Sequence, residues 1–369
     1  MRRKISLRAG GLRGLRKTPA AFMLAAALIL SGCGSGGSGG AGQNAGRLTA
    51  AEPELVLTYA DNQGDGYPTT LGAQYFASLV KERTGGRIEI EVMVNSEMGD
   101  ELDVIEQLRF GGVDFTRASI ASLADAIPKL NVLQMPYLYR DSDHKWRVLD
   151  SEIGDEFMDA FDGSSYVALS WYDAGTRSFY FRRGPVDSLE DMKGMKIRVL
   201  DSLLMEDTVR ALGAIPVVIP YKDVYSALQT GTVDGAENNL PSYDSMNHRE
   251  SAPYLTLDNH SQIPEVQLIS RSTWDSLSET DRQILRQCAR ESSVYERRVW
   301  AEREEAVSKD LTDKGVTITE LSPEELARFR QAVAPLYEKY CAGSMDVIQR
   351  IQAMENESAA ASGAGTEDP

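Results

Sequence analysis

Two arginines, Arg177 and Arg198, stand about twenty residues apart, the second inside a strand-like Lys196-Ile197-Arg198-Val199. An Ala236-Glu237-Asn238-Asn239 tract follows, closing a segment that runs from Tyr225 to Gly235. A guanidinium offers parallel donors to both oxygens of a carboxylate, and its fork geometry sets orientation as well as energy. Two forked cations and an amide converging on one cleft suit a small organic anion better than bond-making chemistry. Catalysis would require a placed acid–base pair. The compact carboxylate candidates are Asp100-Glu101 and Asp234 with Glu237, and helix starts and turns explain those acids as readily. An arginine in an alternating strand usually faces solvent, so position alone leaves both readings of Arg198 open.

Metal chemistry is improbable on composition. No Cys/His metal spacing exists, the three histidines (His144, His248 and His260) are scattered, and no cofactor motif is present. Beyond Cys33 the cysteines are Cys288 and Cys341, which suit a disulfide in an oxidising compartment or two separately buried thiols. Residues 36–40 formally match a hydrolase nucleophile-elbow pattern, but neither strand nor helix flanks them, and the match is discarded.

The front of the chain addresses it to the cell exterior. Residues 1–19 hold seven Lys and Arg and no acid, and residues 20–30 are an apolar run too short to span a bilayer as a stable helix. That is the pattern of a secretory signal. It ends in Leu30-Ser31-Gly32-Cys33, which resembles a lipobox whose cysteine thiol is acylated after cleavage. Residues 34–46 are almost all Gly, Ser, Ala, Asn and Gln, with too little apolar surface to order, and read as a flexible tether. Removing residues 1–32 takes away seven of the 39 basic side chains and none of the 55 acidic ones, leaving a formal charge of −23. So acidic a body argues against nucleic acid as a partner. An anionic ligand must be drawn by a local cationic pocket against the global field.

The elements that must position these residues follow from periodicity. The roughly 320 residues beyond the tether suggest two domains. Strands are expected at 54–59, 87–94, from 113, and at 166–171, 178–182 and 196–200; helices are expected at 67–83, 101–110, 203–212 and 221–230. The alternation predicts mixed α/β with helix-covered sheets. Leu108-Arg109-Phe110-Gly111-Gly112-Val113-Asp114 echoes Leu228-Gln229-Thr230-Gly231-Thr232-Val233-Asp234 at Leu, Gly, Val and Asp. Each is a helix end, a capping glycine and a strand start, so two similar lobes would face each other across a cleft. Such junctions are common in α/β proteins, and the echo alone is weak. From Ser278 to about Thr312 the chain has no Pro or Gly, which predicts a helix of about 50 Å spanning both lobes. Ser322-Pro323-Glu324-Glu325 starts another. Residues 356–369 read as a disordered tail.

The chain resembles the solute-binding proteins of TRAP (tripartite ATP-independent periplasmic) transporters, the DctP-type family. The resemblance rests on Gly175-Thr176-Arg177, on residues 191–199 and 225–239, and on Met98-Gly99-Asp100-Glu101 with Val113-Asp114-Phe115-Thr116. It covers roughly residues 54–350. It implies two α/β lobes of periplasmic-binding-protein type with a hinged cleft, crossover strands and a long C-terminal helix spanning both. The implied division is a signal at 1–32, a tether at 33–53, lobe I at 54–174 plus about 264–303, and lobe II at 175–263 plus about 304–355.

Carried over residue by residue, Arg198 matches the arginine that grips the ligand carboxylate. Arg177 matches a second ligand arginine, with one more residue between the two than in sialic-acid-binding relatives. Asn238 matches an amide that fixes the ligand, and Glu237 before it reads as structural or hydroxyl-binding. Asn239 stands where the family commonly has Pro. Tyr221 sits where an aromatic often walls the pocket, although plain core packing explains it equally. Asn62, Glu101, Arg117 and Ser119 fall at ligand-facing positions of the opposite lobe. Arg117 replaces an aromatic of the sialic-acid binders, which implies a smaller, more hydrophilic ligand.

Trp171-Tyr172-Asp173-Ala174-Gly175 and residues 238–243 look most like a subgroup thought to bind hexuronates. The implied protein is a non-enzymatic, lipid-anchored extracytoplasmic receptor. It would capture a sugar acid such as glucuronate or galacturonate and deliver it to the membrane subunits of a TRAP permease. A C4-dicarboxylate or other small-acid receptor, an anchored enzyme of acidic sugars and a sensor-kinase receptor remain open alternatives.

Overall fold

A computed structural model describes residues 52–363, with side chains described to residue 354. The signal segment, Cys33 and nearly all of the tether lie outside the described residues. Among the described residues eleven strands occur: β1 (Leu55–Ala60), β2 (Ile88–Met93), β3 (Phe115–Ser119), β4 (Tyr166–Tyr172), β5 (Arg177–Phe181), β6 (Lys196–Val199), β7 (Ile215–Val218), β8 (Gly235–Asn239), β9 (Tyr254–Ser261), β10 (Glu265–Ser270) and β11 (Thr317–Glu320). They build two sheets, ordered β2-β1-β3-β10-β4 and β11-β9-β5-β8-β6-β7. Each sheet is the floor of one lobe. The chain passes from the first to the second between β4 and β5 and returns between β9 and β10.

The sequence echo is a structural repeat. The helices Glu101–Phe110 and Val224–Thr230 both end on a left-handed glycine, Gly111 (φ 72°) and Gly231 (φ 79°), where a side chain would be strained. The aspartate that follows each one clamps the neighbouring parallel strand by a reciprocal pair of bonds. Asp114 N–H donates to Thr58 O (3.1 Å) while Thr58 N–H donates to Asp114 Oδ2 (2.8 Å). Asp234 N–H donates to Lys196 O (2.7 Å) while Lys196 N–H donates to Asp234 Oδ2 (3.0 Å). The strands so positioned, β3 and β8, carry Arg117 and Ser119 on one side and Glu237 and Asn238 on the other.

The first sheet buries Tyr59, Ile88 and Phe115 against Phe76 and Val80 of the helix Pro68–Arg83 and against Leu285 and Cys288. The second buries Tyr180, Val233, Ala236 and Leu255 with Val307. Large apolar side chains taken fully from water contribute ~1.5–3 kcal/mol each, so these contacts hold the layers together. Leu285, Cys288 and Val307 belong to one helix, Glu279–Asp310, whose 32 residues extend about 48 Å. It therefore packs into both lobes and ties them together. The first crossover is pinned to it: Asp173 N–H donates to Glu296 Oε2 (2.8 Å), and Tyr172 OH meets Ser292 Oγ at 2.9 Å.

Several elements differ from the sequence expectation. Tyr221–Asp223 forms a 3-10 turn, and the α-helix starts only at Val224. β7, β9, β10 and β11, and the short helices between residues 120 and 161, were not anticipated, because short apolar runs carry no decisive period. The helix Met345–Gly363 runs past residue 356, where the tail was expected to begin, and residues 364–369 lie outside the described residues. That helix reaches lobe I, where the His144 ring nitrogen Nε2 meets Ile351 O at 2.9 Å. Cys288 and Cys341 are two separate buried thiols, which decides between the alternatives left open above.

Candidate functional site

Between the lobes lies a cavity of about 240 Å3, lined by Asn62, Glu101, Ser122, Arg198, Leu200 and Tyr221 among others. A smaller recess of about 40 Å3 shares Asn62, Glu101, Leu200 and Tyr221 with it and adds Arg117, Ser119, Arg177, Asn238 and Glu265. Eight of the nine residues singled out from sequence thus line one continuous cleft. Glu237 is the exception: it lies fully buried behind the wall. A 240 Å3 space is smaller than the roughly 300–1,000 Å3 that receives a drug-sized ligand, and suits a compact solute.

The two arginines have different surroundings. Arg198 projects from β6 and is 1% exposed. Its Nε donates to Ile219 O (2.8 Å), its Nη1 is buried without a partner, and it has no ion pair among the described residues. Burial holds its pKa below the ordinary value. A buried, unpaired guanidinium is costly in a folded protein. The nearby imidazole registers its field: His248 is pushed down to about 3, by burial first and then by the Arg198 cation. Arg177, in contrast, is fully paired within the second sheet. Its Nε donates to Glu237 Oε2 (2.5 Å), its Nη2 to Glu237 Oε1 (2.8 Å), and its Nη1 to Asn238 Oδ1 (2.9 Å). Burial alone would raise the Glu237 carboxyl, but Arg177 and His260 bring it down to about 2. His260 stacks on Phe179 and contacts Asp258 (3.0 Å) and Glu237 (3.6 Å). Against burial, these two carboxylates raise it to about 9.

The wall supplied by lobe I is built on Arg117, 3% exposed. Its Nε and Nη2 donate to Asp61 Oδ1 (3.0 and 2.8 Å), and Nη2 also donates to Asn62 Oδ1. Its Nη1 donates to Glu265 Oε2 (2.9 Å) and, more distantly, to Glu101 Oε2 (3.4 Å). All five donors of the guanidinium therefore have acceptors inside the protein. Glu101 opens its helix after the Asp100 cap and accepts a bond from Ser122 Oγ (2.5 Å). Ser119 Oγ accepts from Ala121 N–H (3.3 Å) and caps a short turn. Tyr221 lines the cleft with its hydroxyl buried. Asn239, in the place of the family's Pro, caps the helix Leu240–Ser245 by accepting from Ser242 N–H (2.8 Å), with Pro241 in the first turn.

Sequence reasoning missed Asp61, Glu265 and the groups that join the lobes. Tyr67 OH meets Ser242 Oγ at 2.8 Å, and Lys222 Nζ pairs with Asp100 Oδ2 at 2.9 Å across the cleft mouth. Asp61 was adjacent to the candidate Asn62. Glu265 is the first residue of β10, just past the second crossover, and no local pattern marks it.

Two α/β lobes, crossover strands, a strut helix and a cleft holding an unpaired cation define a binding protein for a small anionic solute. The chain belongs to the bacterial extracellular solute-binding protein family 7 (DctP), whose family description matches residues 59–343. A solute-binding protein of Chromohalobacter salexigens is 35% identical over 274 residues, 74% of this chain and 81% of that protein. Two solved TRAP periplasmic solute-binding proteins superimpose on nearly their whole length. One, from Pseudomonas putida F1 with bound D-glucuronate, is 36% identical with a TM-score of 0.79, covering 81% of this chain and 97% of its own. The other, from Bradyrhizobium in complex with galacturonate, is 37% identical with a TM-score of 0.78, covering 80% and 99%.

Proposed function

We propose that this chain is an extracytoplasmic receptor that captures a hexuronate, glucuronate or galacturonate, and delivers it to the membrane subunits of a TRAP permease. The observation that carries the reading is Arg198: a buried guanidinium with an orphaned Nη1 facing a compact cavity. A ligand carboxylate would supply the missing counter-charge. Asn238, Tyr221, Asn62, Glu101 and Ser119 would meet ring hydroxyls, and Arg177 would hold Asn238 in place. Similarity to relatives solved with glucuronate and galacturonate supports the sugar-acid class. The acids weighed as catalytic candidates all have structural partners. Asp100 caps a helix and pairs with Lys222, Glu101 accepts from Ser122 Oγ and Arg117 Nη1, Asp234 clamps a strand, and Glu237 holds Arg177. The reading is therefore a receptor and not an enzyme.

The lobes divide at the two crossovers, near residues 174 and 264. The lipobox-like Leu30-Ser31-Gly32-Cys33 supports anchoring by acylation of Cys33. Mass spectrometry of the processed protein tests this by the diacylglycerol on residue 33, which Cys33→Ala removes. The ligand is tested by thermal shift of the full chain against glucuronate, galacturonate, glucose, succinate and sialic acid. Ligand at 100 times its dissociation constant stabilises by ~2.7 kcal/mol. A shift with either hexuronate and none with glucose supports the reading; a shift with succinate alone replaces the sugar acid by a dicarboxylate.

A further inference from the structure

The lobe I wall of the cleft is richer in acid than its one cation can balance. Arg117 is surrounded by Asp61 (2.8 Å), Glu265 (2.9 Å) and Glu101 (3.4 Å). Asp61 is locked away, since it also accepts from Gln63 N–H, Thr69 Oγ1 and Thr70 Oγ1. Glu101 and Glu265 remain partly open to the cleft, with side chains 17% and 13% exposed. Three carboxylates on one guanidinium, all of whose donors are engaged, leave a formal excess of two negative charges at this wall. Burial pushes the Glu265 carboxyl up to about 7, and the charges of Glu101 and Asp61 add to it although Arg117 opposes. With Asp61, Glu101 and Glu265 all ionised, the wall opposes further negative charge even with its arginine in place. On the other side of the cleft stands Arg198, a cation with no ion pair among the described residues.

We propose that Glu101 and Glu265 make the cleft selective for polyhydroxylated monocarboxylates and exclude a second carboxylate at the lobe I end of the ligand. This rests on the sugar-acid reading of the same site and sharpens it. A carboxylate enters toward Arg198, and its orientation is enforced from both ends, by attraction at Arg198 and repulsion at the carboxylate wall. Hydroxyl groups are the complementary partners of that wall, because Glu101 and Glu265 accept hydrogen bonds that a carboxylate cannot donate. Arg117 then acts by holding the acids in place. A diacid of the same length would bring unpaired anion against anion in a low-dielectric site, an arrangement that penalises the wrong partner strongly.

D-galactonate and D-galactarate test this directly. Both are open chains of equal length, and they differ in whether the far carbon is a hydroxymethyl or a carboxylate. Calorimetry on the full chain at pH 8, where Glu265 is ionised, is expected to give galactarate at least ~100-fold weaker binding than galactonate. Glu265→Gln keeps an acceptor for Arg117 and removes a charge; combined with Glu101→Gln it should narrow that ratio tenfold or more. A cooperative thermal melt and a wild-type far-ultraviolet dichroism spectrum show that the variants fold, and the ratio of the two affinities, not the affinity for galactonate alone, is the readout. A wild-type protein that binds galactarate as tightly as galactonate overturns the inference and leaves the receptor standing. A selectivity ratio unmoved in the double variant overturns the assignment to Glu101 and Glu265. Failure of galactonate and of both hexuronates to bind the wild type removes the sugar-acid reading and this inference with it.

Discussion

Replacing Arg198 by methionine separates ligand recognition from folding. Among the described residues this guanidinium makes one hydrogen bond, to Ile219 O, and has no acid partner for its buried charge. Losing that bond costs ~1 kcal/mol, while removing a desolvated, uncompensated cation returns a comparable or larger amount. Arg198→Met is therefore expected to melt within a few degrees of the wild type, or above it. Binding should behave in the opposite way. Truncating one partner of a buried, hydrogen-bonded charge pair costs ~2–5 kcal/mol, which at 1.4 kcal/mol per decade is a loss of roughly 30- to 4,000-fold in affinity. Calorimetric titration with glucuronate and galacturonate reads the second effect, and a thermal melt without ligand reads the first. A third readout is independent of both: His248 is held at about 3 by burial and then by Arg198, so its pKa should rise in the variant when followed by NMR. Affinity unchanged within threefold would refute the assignment of Arg198 to the ligand carboxylate. A collapse in stability with His248 unmoved would show that the cation is paired in solution.

Arg177→Met should do the reverse of Arg198→Met. It breaks the buried pair with Glu237 and is expected to cost ~3–5 kcal/mol in chemical denaturation; a cost below 1 kcal/mol would show that the pair is not structural. The pH profile should carry two opposite signatures. His260, raised to about 9, contributes stability that is fully present below its ordinary 6.5 and is lost as pH rises through 9, roughly 3 kcal/mol in all. Melting from pH 6 to 10 should therefore fall more steeply in the wild type than in His260→Gln, and parallel curves would discard the His260 contribution. Glu237, lowered to about 2, contributes stability that is present above pH 4.5 and lost as pH falls through 2, which an acid titration of Glu237→Gln against wild type would read. At Gly175, with φ 61°, an added Cβ would stand 2.7 Å from Glu304 Oε1 and Trp300 Nε1, so Gly175→Ala should destabilise by more than ~1 kcal/mol in denaturant titration. A neutral Gly175→Ala would mean that the crossover backbone relaxes freely.

Much of this architecture follows from local chemistry. The helix ending at Gly111 and the one ending at Gly231, each followed by Val-Asp and a strand, could be matched to one another in the sequence because capping and strand clamping depend on a few neighbouring residues. The long helix was readable for the same reason, since its Ser278 cap and unbroken helix-forming run are consecutive in the chain. β10 was not, although it is an interior strand of the first sheet, because its six residues pair on both sides with strands distant in sequence. The candidate ligand residues came from motif resemblance, and eight of them do converge on one cleft.

The amino-acid sequence by itself determined the mixed α/β pattern, the strut helix, the acidic body, the repeat and the presence of two arginines in ligand-type motifs. Only the tertiary structure decided which arginine is available. Arg177 is neutralised by Glu237, 60 residues away, and Arg117 by Asp61 and Glu265, 56 and 148 residues away, whereas Arg198 meets no acid among the described residues. The availability of a charge is the sum of its pairings, and in a buried site those partners come from distant strands brought within 3 Å. Sequence supplies the groups; the fold decides which remain unpaired, and an unpaired buried charge is what a ligand can bind.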